Sequence, residues 1–116
     1  MQWLGPNIAD NYESSHWPVL LSVCPDIDRM QNREYTLHAA GYVVASASTL
    51  FAAEQMCHLC SFDLVLLDRE CAPQDEAADL LQRYPSILVE HGMTELELLS
   101  KLREALRTER ATVAVH

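Results

Sequence analysis

The chain has 116 residues, of which 17 are acidic and 8 basic, and its net charge of -9 repels phosphate backbones and anionic membrane surfaces, so direct nucleic-acid binding is not expected. Apolar residues make up 49% of it, too many for a disordered protein, yet no apolar run approaches the ~20 residues of a membrane helix; one soluble domain with one core is expected. The opening residues Met1 to Pro6 lack the basic and long apolar regions of a signal peptide, which makes the cytoplasm the expected location.

Residues 1–17 contain Trp3, Leu4, Ile8, Tyr12 and Trp17 at no consistent period, and read as an arm that is flexible or docked on this domain or a partner. Val19 to Cys24 is the first predicted strand. Pro25 and Asp26 open a helix over Ile27 to Ala40, whose apolar set Ile27, Met30 and Leu37 is interrupted by Glu34, and Gly41 stops it. Tyr42 to Ser46 is the second strand. In the second helix, Leu50 to Cys60, the residues Ala52, Ala53, Met56, Leu59 and Cys60 fall on one face. Phe62 to Asp68 is a short apolar run that ends in a carboxylate, which suits a strand buried on both faces with Asp68 at its carboxyl end, where open α/β folds place ligands.

Pro73, Asp75 and Glu76 mark the third helix, in which Ala77, Leu80, Leu81 and Tyr84 repeat at i, i+3, i+4 and i+7, and Ser86 to Glu90 is a fourth strand. The last helix begins with a capping box, Thr94 and Glu97, and a staple of Met93 with Leu98. It carries the stripe Leu98, Leu99, Leu102, Ala105, Leu106 and an i, i+4 pair from Glu97 to Lys101. Residues 18–108 form the domain, and 109–116 a tail in which Thr112 to Val115 read as a frayed end or a fifth strand. Four alternations of strand and helix predict an α/β fold: an open parallel sheet of about four strands with helices on both faces, three layers in all.

From about Val19 to Leu106 this order resembles the receiver domain of bacterial two-component response regulators, a flavodoxin-like, CheY-like fold. Phe62 to Asp68 looks like that family's third strand, Ala40-Gly41-Tyr42 like the break before its second strand, and Met93 to Leu106 like its last helix with the loop before it. The resemblance implies that Asp68 is the phosphoacceptor, actual or vestigial. The family's acidic pair for magnesium is here Cys24 and Pro25, with Asp26 alone nearby, and a thiol and a proline offer magnesium no oxygen ligands. Its hydroxyl residue after the fourth strand and its lysine after the fifth are absent, Glu90 and His91 standing where a small residue and that lysine would be. About one βα unit is missing, so a strand that the family buries becomes an edge.

These departures point to a receiver-like signalling domain that acts by contact with another signalling protein and lacks regulated phosphorylation, with no cofactor; the exposed edge invites pairing with another subunit or cover by the Trp-bearing arm, and edge and apolar arm together point to a homodimer. One alternative is a working receiver that catalyses its own phosphoryl transfer at Asp68 with magnesium. A further one is a zinc module built from Cys24, Asp26, Asp68, Cys71 and His91, all predicted at the carboxyl ends of strands. The four cysteines, Cys24, Cys57, Cys60 and Cys71, are expected as free thiols. The pair in Cys57-His58-Leu59-Cys60 is expected to pack, because it lies in the last turn of a helix, where the dipole does not favour a thiolate.

Overall fold

The predicted alternation is realised in the order β1 (Val19–Val23), α1 (Ile27–Ala39), β2 (Val43–Ala47), α2 (Leu50–Leu59), β3 (Leu64–Asp68), α3 (Asp75–Arg83), β4 (Ser86–Val89) and α4 (Glu95–Val115), with one 3-10 turn, Arg69–Cys71, after β3. The computed structural model describes residues 17–71 and 75–115, residues 75–76 and 109–115 by their backbone alone. The arm expected over 1–17 lies, apart from Trp17, outside the described residues, as does Pro73.

All four strands are parallel, in the spatial order β2-β1-β3-β4. The chain steps from β1 outward to β2, then crosses back over β1 to β3 and continues to β4. Crossovers of one hand require the helices to change face when the direction reverses, and they do. Leu37 of α1 and Leu98, Leu102 and Leu106 of α4 cover Leu20, Leu64 and Leu66 on one face, whereas Leu50 and Ala53 of α2 and Ala77 and Leu80 of α3 cover Leu21, Val23, Val65 and Leu67 on the other. The two central strands therefore bury both faces, which is why they read as unbroken apolar runs. Each buried leucine contributes about 1.5–3 kcal/mol, so the core draws most of its stability from β1, β3 and the leucine stripes that cover them. The reversal falls between β1 and β3, and it places the crevice of the fold beside Cys24 and Asp68.

Several boundaries differ from expectation for local reasons. β3 starts at Leu64 because Asp63 closes the strand's amino end: its N–H donates to the Val19 carbonyl at 2.8 Å and its Oδ2 accepts from the Val19 N–H at 2.7 Å. In α2 the buried line is Leu50 and Ala53 with Ala52, Met56 and Cys57 packed beside it, and Leu59 and Cys60 are exposed rather than part of the face. Cys60 is the C-cap, in extended conformation, so its side chain leaves the helical face on which spacing alone would put it. The break after α1 is as expected, with Gly41 at φ +99° and the Tyr42 N–H returning to the Leu37 carbonyl.

The α4 capping box forms: Thr94 Oγ1 accepts from the Glu97 N–H at 3.1 Å, and Glu97 Oε1 accepts from the Thr94 N–H at 2.9 Å. Glu97 thus commits its carboxylate to the cap and not to the expected pair with Lys101. Residues 112–115 are neither a frayed end nor a fifth strand but the last turn of α4, which runs to Val115. No helix among the described residues is long and apolar enough to cross a membrane.

Candidate functional site

The site is assembled at the carboxyl ends of β1 and β3. Asp68 ends β3 with only 1% of its surface exposed, so its carboxylate needs internal partners for every oxygen lone pair that water does not reach. It has four. Oδ1 accepts from the Glu70 N–H at 3.0 Å, and Oδ2 accepts from Cys24 Sγ at 3.4 Å, Arg29 Nη1 at 3.1 Å and Arg33 Nη2 at 3.3 Å. Burial pushes the Asp68 pKa up, but the hydrogen bonds from Glu70, Cys24 and Arg33 and the charge of Arg29 outweigh it and hold the carboxyl below its ordinary value.

Both arginines come from α1, one turn apart on the face that meets the sheet. Arg33 is the more deeply placed, its side chain 10% exposed, and its Nη1 is buried without a hydrogen-bond partner among the described residues. Arg29 is a hub: besides Asp68 it reaches Glu70 Oε1 at 2.9 Å, Asp26 Oδ2 at 3.8 Å and His91 Nδ1 at 3.5 Å. Two guanidinium groups thus supply the positive charge that compensates the buried carboxylate.

Of the five residues grouped in advance, Cys24 and Asp68 are in direct contact, and His91 approaches Asp68 only through Arg29. Asp26 is the N-cap of α1, its Oδ1 accepting from the Arg29 N–H at 3.1 Å. Cys71 is buried in the 3-10 turn within the core that α2 and α3 cover. Among the described residues no group of three or more His, Cys, Asp or Glu side chains is placed to hold a metal ion. Burial raises the pKa of Cys24 and of Cys71, which keeps both as neutral thiols, and the Cys24 thiol is a donor to Asp68. All four cysteines are free.

Arg29 and Arg33 are the residues that the sequence reading missed. The signal was available: Arg33 stands three residues after Met30 and four before Leu37, inside the stripe that faces the sheet, and a charge there requires a buried partner. Glu34, the interruption that spacing did show, is answered by Ser46, whose hydroxyl donates to its carboxylate. Above Arg29 and Arg33 lies an open cleft of about 280 Å³, bounded by α1 and by the β4–α4 loop that carries His91.

No protein-family model and no curated protein matches the chain. Solved structures do. A CheY-like response regulator receiver domain protein from Methanospirillum hungatei JF-1 superposes with a TM-score of 0.72 at 17% identity, over 83% of this chain and 98% of that one. The N-terminal domain of a response regulator/sensory box/GGDEF 3-domain protein from Carboxydothermus hydrogenoformans gives 0.69 at 22% identity, over 82% and 98%. A response regulator receiver protein from Sinorhizobium medicae WSM419 gives 0.65 at 21% identity, over 79% and 96%. The chain therefore has the CheY-like receiver fold, here with a four-stranded sheet.

Proposed function

We propose that this domain is a receiver-fold signalling module that acts through protein–protein contact and whose aspartate is sealed against regulated phosphorylation. The observation that carries the reading is the state of Asp68, buried at 1% exposure with Oδ2 shared by Arg29, Arg33 and Cys24. An attacking carboxylate oxygen needs a free lone pair and an in-line path to phosphorus. Oδ2 has three donors already, and Oδ1 is turned to the Glu70 amide.

Magnesium, which the receiver resemblance implies, does not fit the residues present. It requires oxygen ligands in octahedral array. Cys24 is a neutral thiol, Asp26 is committed to the α1 cap, and two cationic side chains already neutralise Asp68. In this reading Arg29 and Arg33 hold the loop after β3 in one fixed state, and signalling depends on which surfaces that state presents to another signalling protein.

The test is incubation of the protein with acetyl phosphate, or with beryllofluoride and magnesium, read by intact mass and by amide NMR shifts. Neither an adduct nor a shift at Asp68 to Cys71 is expected. A stoichiometric adduct that disappears in Asp68→Asn would establish the working-receiver alternative and overturn the proposal.

A further inference from the structure

The sheet ends at β4, and among the described residues nothing pairs with its outer side. The Val65 N–H donates to the Pro85 carbonyl, so by strand alternation Ile87 and Val89 also face β3, while the N–H and C=O groups of Ser86 and Leu88 point out of the sheet. Unpaired edges of this kind recruit another strand unless charge, proline or a bulge blocks them. Here the strand is Ser86-Ile87-Leu88-Val89, with no charge, and Pro85 lies just before it.

Beside that edge runs a groove of about 490 Å³ whose floor is Ile87, Leu88 and Ala105 and whose rim is Lys101 among Glu90 and Glu104. Lys101 is the chain's only lysine, and it has no ion-pair partner among the described residues. Glu90 and Glu104 are held within the chain only by exposed pairs, to Arg69 and to Arg107, each at 3.4 Å, and exposed pairs of this kind contribute little, so under a two-fold rotation each unpartnered lysine can meet an acid of the other copy.

We infer that the β4 edge and this groove bind a second copy of the chain, with the two β4 strands antiparallel about an axis at Ile87 and Lys101 of each copy against Glu104 of the other. Ser86 of one copy then lies opposite Leu88 of its mate, which gives about four backbone hydrogen bonds and extends the sheet across both molecules. Trp17 and Pro18, which lead into the inner strand β1, lie on its β2 side, away from β4: the Val43 N–H of β2 donates to the Pro18 carbonyl, and Trp17 sits 3.6 Å from where a Cβ on Gly41 would be. The dimer goes beyond the sealed-aspartate reading and does not depend on it.

Light scattering on the full chain at about 100 µM, a concentration that populates any dimer of micromolar affinity, tests the interface. The expected mass is twice the 13.1 kDa of one chain. Lys101→Glu and Glu104→Lys, both at exposed helical positions and checked by circular dichroism for folding, are each expected to weaken self-association about tenfold or more. Their equimolar mixture is expected to recover the dimer, because in the mixed pair each of the two symmetric contacts again joins one acid to one lysine. A wild-type monomer at that concentration overturns the inference. Slow exchange of the Ser86 and Leu88 amides in such a monomer would show the edge covered by the chain itself, and fast exchange would show it open to solvent. A dimer indifferent to Lys101→Glu overturns the inference as well.

Discussion

Asp68 and the two arginines form a charge cluster in which loss of Asp68 removes the acid that faces Arg33, whose side chain is only 10% exposed, while loss of Arg29 leaves Asp68 its bond to Arg33. Removing one partner of a buried ion pair costs more than the pair itself contributes, because the remaining charge stays desolvated. Asp68→Asn is therefore expected to lower stability by about 3 kcal/mol in urea unfolding, whereas Arg29→Ala, at a side chain 30% exposed, is expected to cost about 1 kcal/mol. The pH dependence follows from the depressed pKa of Asp68. A carboxylate held below its ordinary value of about 3.9 contributes its full stabilisation above that pH, and loses it as pH falls through the folded-state value. Thermal melts from pH 6 downward are expected to show the wild type losing stability below about pH 4, and Asp68→Asn losing less over the same interval. The thiols offer an independent check. Cys60 is exposed and Cys24 and Cys71 are buried, so a disulfide reagent is expected to titrate Cys60 rapidly in the native protein and Cys24 and Cys71 only on unfolding.

At the scale of elements, sequence and structure agree wherever a single periodicity or a local hydrogen bond decides the outcome. The capping box of α4 is legible because both partners lie within three residues, and Thr94→Ala is expected to cost about 1 kcal/mol in chemical denaturation. The stripe of α3 is legible for the same reason, with Ala77 and Leu80 buried as the spacing requires. Gly41 is legible because a helix that turns back into a parallel strand needs a residue at positive φ. Gly41→Ala would strain that φ of +99° and is expected to cost about 1 kcal/mol, although its Cβ would meet Trp17 only at ordinary contact distance. What was not legible depended on partners distant in sequence. The arginine cluster spans 35 and 39 residues, from Arg33 and Arg29 to Asp68: the place of Arg33 in the buried stripe of α1 signals that it needs a partner, and nothing local says that the partner is Asp68. The departure of Cys60 from the α2 face was hidden for a different reason, since periodicity assumes a helix that continues and this one stops at Leu59.

For the molecule as a whole, the topological reversal between β1 and β3 determines which residues meet. It brings the end of β1, the first turns of α1 and the loop after β3 together around one crevice, whatever residues occupy them. The fold class was therefore recoverable from alternation and buried runs, while the chemistry of the crevice was not, because the charges that compensate Asp68 come from Arg29 and Arg33 of α1, far from it in sequence. The chain passes from β4 through the His91 loop into α4 without adding a further strand, so the outer side of β4 is unpaired among the described residues.

The carboxylate that ends β3 and the one just before it share an arithmetic relation to β1. Asp63 bonds to Val19 and Asp68 to Cys24, each across 44 residues, the same offset that aligns Leu20 with Leu64. A slip of one residue between these strands would release both bonds together and turn every side chain of β3 to the opposite face. The intervening α1, β2 and α2 can lengthen or shorten at their loops at small entropic cost, because closing a longer loop grows only logarithmically with its length. Insertions are thus tolerated in the 44-residue span but not between Asp63 and Asp68, which are pinned at once on either side of the strand.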